Sequence, residues 1–191
     1  MKSTSSSITE KSLYFIAISP IGRTKERIDD VKEDIYQKFG LKGAFRSPPH
    51  ITLQMPFKKT PTKIKAIIED LEEFAKDFSP FHIALDGFNC FPPRVVYIEV
   101  VHNEILNEIQ HQLVKVMKAH QILFANYKNQ AYHPHITVAF RDMKKKVFPQ
   151  VWETYKEQEL KESFLAEGIT LYKHNGKIWE EDQFFPFNPQ S

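Results

Sequence analysis

Hydrophobic and polar positions along this chain follow two periods, and the switches between them mark out its elements. Residues 13–18 form a short apolar run of aromatic and β-branched side chains, which predicts a buried strand. Ile28, Val31, Ile35 and Phe39 then recur at helical spacing, and Gly40 stops them. Residues 45–49 read as a loop and 50–55 as a strand. Thr60-Pro61 opens the strongest helical stripe, with Thr as N-cap and Pro in the first turn. Its apolar positions are Ile64, Ile67, Ile68, Leu71, Phe74, Ala75 and Phe78. Residues 81–85 are a strand that ends or bulges at Asp86-Gly87.

The pattern then restarts. Residues 94–101 are a strand, and Asn103 caps a helix carrying Ile105, Leu106, Ile109, Leu113, Val116 and Met117. A strand at 135–140 follows. Val147, Phe148, Val151, Trp152 and Tyr155 make the next helix, which tolerates Pro149 in its first turn. A strand covers 164–172, and a last pair turns at His174-Asn175-Gly176 and runs to about residue 187. The order β-α-β-α-β thus occurs twice, with the later helix and strand of each copy offset by 83 residues (64 to 147, 81 to 164). The expectation is an α+β fold, internally duplicated and bilobal, with pseudo-twofold symmetry and a central cleft. Residues 1–11 are expected to be a disordered tail. Residues 12–191 should form one domain, with lobe one at 12–90 and lobe two at 94–187.

A four-residue word sits at equivalent places in the two copies: Pro49-His50-Ile51-Thr52 and Pro134-His135-Ile136-Thr137. By itself such a repeat arises by chance in roughly one chain in ten of this size, so its weight comes from its position. In a strand, residues i and i+2 share a face. His50 and Thr52 therefore project together while Ile51 and Leu53 anchor in the core, and His135 and Thr137 do the same against Ile136 and Val138. Two imidazoles brought to one cleft can divide the roles of general base and general acid. Threonine hydroxyls can donate to phosphate oxygens as negative charge builds. That set suits phosphodiester chemistry without a metal.

Composition narrows the picture a little further. With 41% hydrophobic and 26% charged residues the chain is an ordinary globular one. A net charge of +2 argues against a duplex DNA binder but permits a small anionic substrate. The single cysteine, Cys90, cannot form an intrachain disulfide and fits a reducing, cytoplasmic setting. Its apolar context makes it a small core residue rather than a nucleophile. The apolar run at 13–18 is too short for a signal segment or a membrane span.

The paired motif in a duplicated α+β chain resembles the 2H phosphoesterase superfamily. That family includes 2′-5′ RNA ligase-like proteins and 2′,3′-cyclic nucleotide phosphodiesterases, and its signature is two copies of hydrophobic-His-x-Thr-hydrophobic. The resemblance spans about 13–187, and the 48–58 stretch looks closest to a bacterial branch of the family. Pro49 stands where many relatives carry an aliphatic residue. The resemblance implies a hydrolase in which His50, Thr52, His135 and Thr137 are catalytic. It also implies action on 2′,3′-cyclic phosphates or 2′-5′ bonds of RNA ends or small nucleotides, with no cofactor and no metal. The chain is expected to act as a monomer, apart from membranes and duplex DNA.

Other candidates surround this set. Phe91 could stack on a base and Arg94 pair with phosphate, or they could cover the core and face solvent. Tyr14 and Tyr97 lie on corresponding strands and could face the cleft or the core. Arg141, Tyr172 and Lys173 are further possible phosphate contacts. Lys144-Lys145-Lys146 and the lysines between 58 and 65 suit solvated helix starts that can steer RNA by diffuse charge. His133 shares a strand face with His135, but its counterpart is Pro48, so it falls outside the symmetry. A His133-His135 zinc pair would lack further ligands at suitable spacing. His82, His102, His111, His120 and His174 have no motif context. Two rival readings stand beside the first: a noncatalytic RNA- or nucleotide-binding module on the same fold, and a His-ligated metal hydrolase.

Overall fold

A computed structural model of the chain describes residues 10–123 and 131–188. Most of the expected tail, residues 1–9, lies outside the described residues. The elements run β1 (Ser12–Ile18), α1 (Gly22–Phe39), a 3-10 turn (Gly43–Arg46), β2 (Ile51–Lys59), α2 (Pro61–Lys76) and β3 (Phe81–Phe91). They continue as β4 (Val95–Val100), α3 (Glu104–Ala119), β5 (His135–Ala139), α4 (Phe148–Tyr155), β6 (Lys161–Ala166), β7 (Gly168–His174) and β8 (Trp179–Pro186).

The local signals work as expected at most boundaries. Gly40 closes α1 in the left-handed region at φ 68°, with its amide on the Tyr36 carbonyl. Thr60 caps α2 by accepting from the Lys63 amide, and Asn103 caps α3 by accepting from Leu106. Gly87, at φ 69°, lies in a bulge between Leu85 and Phe88, and β3 continues through it to Phe91.

All strand pairs are antiparallel, in one mixed-sequence sheet of order β6-β3-β4-β5-β2-β1-β7-β8. Among the described residues β2 and β5 meet at one ladder pair, Ile51 opposite Ile136. Helices cover one face of the sheet. Ile28 and Ile35 of α1, Ile67 and Leu71 of α2, Leu106 and Leu113 of α3 and Val151 of α4 join Ile16, Ile51, Leu53, Ile98 and Ile136 in one core. The other face carries a separate aromatic cluster of Phe15, Ala17, Tyr172 and Trp179.

Outward from the Ile51–Ile136 pair the strands match as β2 with β5, β1 with β4, β7 with β3 and β8 with β6. This differs from the expected matching of the strands at 81 and 164. The run 164–172, expected as one strand, is two: β6 ends at Ala166 and β7 begins at Gly168. Strand β6 lies at the edge beside β3, and β7 takes the place that mirrors β3. Gly168 permits the break, because a Cβ there would collide with the Phe185 carbonyl and the Phe184 ring. The sequence halves 12–90 and 94–187 therefore interleave in space. Strand β3, from the first, pairs with β4 and β6, and helix α1 packs against β5 and β6.

Candidate active site

Strands β2 and β5 lie side by side at the centre of the sheet, and each begins at one of the two motifs. Ile51, Leu53, Ile136 and Val138 are buried toward the helices, while His50, Thr52, His135 and Thr137 are half-buried on the opposite face. The antiparallel register with Ile51 opposite Ile136 carries His50 toward Thr137 and Thr52 toward His135. The four side chains of the two motifs thus share one face about the symmetry centre of the sheet.

The two imidazoles are held in the same way. His50 Nδ1 lies 2.8 Å from the Pro48 carbonyl, and His135 Nδ1 lies 2.8 Å from the His133 carbonyl. A carbonyl only accepts, so each Nδ1 carries the proton and donates it. The neutral rings therefore present bare Nε2 atoms. Each ring also rests on aromatic neighbours. Phe15 of β1 lies 4.7 Å from His50 between ring centres, with Tyr172 of β7 at 6.3 Å. Tyr97 of β4 lies 4.9 Å from His135, with Phe91 of β3 at 5.1 Å.

Charges near the two rings break the symmetry. Burial pushes the His50 pKa down to about 4, with further lowering from Lys32 and His135 against a raising effect of the Pro48 carbonyl. Burial also lowers His135, as does the charge of His133, while the His133 carbonyl and the Glu99 carboxylate, whose residue is its ladder partner on β4, pull the other way. Glu99 is tied in turn to His133, at 3.3 Å, and accepts from the Asn89 amide at 2.9 Å. His133 Nε2 lies 3.1 Å from the Tyr97 hydroxyl.

The other candidates divide. Phe91, Tyr97 and His133 gather around His135, and Phe91 is 39% exposed at the rim. Arg94 is exposed in the turn after the cis Pro92-Pro93 bond, with its amide on the Phe91 carbonyl. Tyr14 is not brought to the imidazoles. It is buried toward the helices, stacked on Phe57, and the adjacent residue Phe15 takes the site-facing position. Arg141 lies past the far end of β5, its guanidinium over the Phe140 ring. Among the described residues no group of three or more His, Cys, Asp or Glu is arranged to hold a metal ion. Three contributors were not singled out from the sequence: Phe15, Glu99 and Lys32. Phe15 is hidden in an apolar run with no alternation. Lys32 was legible as a polar residue on the stripe of Ile28 and Ile35.

Known proteins share the fold and the family. The family model of the 2′-5′ RNA ligase superfamily matches residues 20–178. A protein of Geobacillus kaustophilus named "Putative phosphoesterase" is 30% identical over 149 residues, covering 77% of this chain and 79% of its own length. A protein of the same name from Geobacillus thermodenitrificans is 31% identical over 115 residues, 59% of this chain and 62% of its own length. The crystal structure of E. coli LigT complexed with 3′-AMP shares the fold at a TM-score of 0.66 and 18% identity, covering 94% of this chain and 99% of that one.

Proposed function

Given that the chain belongs to the 2′-5′ RNA ligase superfamily and is a phosphoesterase of the 2H type, we propose that it acts on 2′,3′-cyclic phosphates or 2′-5′ phosphodiester bonds of RNA ends or small nucleotides. The observation that carries this reading is the matched pair of imidazoles, each fixed through Nδ1 to a backbone carbonyl two residues earlier. Fixed Nδ1 protons leave both Nε2 atoms free for proton transfer to and from substrate oxygens.

His50 takes the base role, because burial and the Lys32 charge keep it neutral. It accepts a proton from water as the water oxygen bonds to phosphorus. His135, with Glu99 beside it, is the acid: it enters the step as the imidazolium, its Nε2 protonated from solvent, a form that the Glu99 carboxylate favours against burial and the His133 charge. It gives its proton to the ester oxygen as the phosphorus–oxygen bond breaks. Thr52 and Thr137 donate to the nonbridging oxygens, where charge accumulates. Phe91 stacks on the base at the rim. E. coli LigT has been crystallised with 3′-AMP, a ligand of the size this reading requires.

Turnover of 2′,3′-cyclic nucleotides and 2′-5′-linked oligomers in excess EDTA tests the proposal. His50→Ala and His135→Ala should each lower kcat by about 10²- to 10⁴-fold with unchanged circular dichroism. If both substrate types stay intact at high enzyme concentration, the substrate class is wrong.

A further inference from the structure

Lys32 is a charged side chain in the wrong place for a surface helix. It lies on the sheet-facing stripe of α1 with Thr24, Ile28 and Ile35, and only 2% of it is exposed. An ammonium withdrawn from water is costly unless it is well paired. Its pairing is thin: Nζ donates to the Ser47 carbonyl at 3.2 Å and stands 3.5 Å from Asp29 Oδ1. Asp29 is itself shared with Lys25, at 2.7 Å. Burial accordingly lowers the Lys32 pKa to about 8, which leaves it mostly charged at neutral pH.

The Ser47 carbonyl is what Lys32 reaches, and Ser47 opens the segment that leads to the first motif. One residue on, the Pro48 carbonyl accepts from His50 Nδ1. Among the described residues no buried lysine stands behind His135, which instead has Glu99 and His133 near it, their charges opposed. The two otherwise matched imidazoles thus differ in the charge that backs them.

We propose that Lys32 is a positioning residue for His50: its buried ammonium pins the approach to the motif through the Ser47 carbonyl and sets a fixed positive charge behind the imidazole. The charge disfavours protonation of His50 and so assigns the base role to the first motif. The other groups facing His50 are Tyr172 from β7, a ring contact, and His135 from β5, a weaker repulsion than that of Lys32. Tyr172 supplies no positive charge, and the repulsion from His135 is present only while that ring is protonated. This inference rests on the acid–base reading above only for its kinetic arm.

The test follows the His50 ring by its Cε1–H resonance, assigned by its loss in His50→Asn. In the unsubstituted protein the resonance should titrate near pH 4 and shift again near pH 8, where Lys32 loses its proton. In Lys32→Met the acidic midpoint should rise and the second step should vanish. Lys32→Arg, which keeps the charge, should hold the midpoint low. The acidic limb of kcat/KM on a 2′,3′-cyclic nucleotide should move with the midpoint, while the Tm of Lys32→Met stays level or rises. A His50 midpoint equal in the unsubstituted protein and Lys32→Met, or the lack of any shift near pH 8, overturns the proposal. Equal losses of Tm and activity in the Met and Arg variants would also overturn it, as mere packing. The resonance needs no turnover, so failure on the chosen substrate leaves this result readable by itself.

Discussion

Thr52 and Thr137 are the residues through which the two motifs are expected to hold phosphate, and their hydroxyls can be removed with little change of shape. Thr→Val at either position should lower kcat by about 10²-fold and Thr→Ser by much less. Rates at saturating substrate check this. His50 also makes a linkage prediction. Its folded pKa, about 4, lies below the ordinary 6.5, so the unfolded chain binds more protons between those values. Stability should therefore fall as pH drops from about 6.5 to 4, by up to about 3 kcal/mol, and His50→Asn should flatten that slope in urea melts. Lys32 acts in another window. With its folded pKa lowered to about 8 against 10.5, stability should climb as pH rises between those values. At this scale the alternation of His-Ile-Thr was enough to assign faces, since Ile51 and Ile136 are fully buried and the flanking His and Thr are not. In the β1 run nothing alternates, so Tyr14 and Phe15 could not be told apart. Which of them meets His50 is decided by pairing with β2 and β7.

Between elements, the ties that matter join parts distant in sequence. The Asp142 carboxylate accepts from the Lys42 and Gly43 amides at 2.8 and 3.0 Å, so the chain leaving β5 holds the 3-10 turn that leads to His50. Gly43 has no room for a side chain there, because a Cβ would meet the Phe140 carbonyl. Asp142→Ala should cost about 1–2 kcal/mol, read from the urea midpoint, by orphaning two amides. It should also lower kcat/KM at pH 7, although Asp142 lies away from both imidazoles. The helices and caps were legible because Gly40, Thr60 and Asn103 act locally. The split of 164–172 was not read, although Gly168 marks it, because a lone glycine does not say which strand approaches it, and that strand is β8.

For the whole molecule, two equivalent units in sequence do not become two separate bodies. Helix α1 covers β5 and β6, and α3 covers β2, so each half supplies the helix that shields the other's strands. Fragments 12–90 and 94–187 expressed separately should remain unfolded by circular dichroism and amide dispersion, and should recover structure only when mixed. Two independently folded fragments would contradict this. Element order alone implied the pseudo-symmetry and permitted the motifs to meet, but interleaving depends on strand neighbours that hydrophobic period cannot specify.

The sheet is joined across its middle by the rung at Ile51 and Ile136, while the connections through α1, β3 and the short β6–β7 link pass from side to side. In mechanical terms this is a spine with few stitches inside a firmly laced cover. Opening the cleft breaks little backbone pairing, yet the lacing prevents the sides from parting. Across that spine the imidazoles stay on their own strands, each tethered to its own carbonyl.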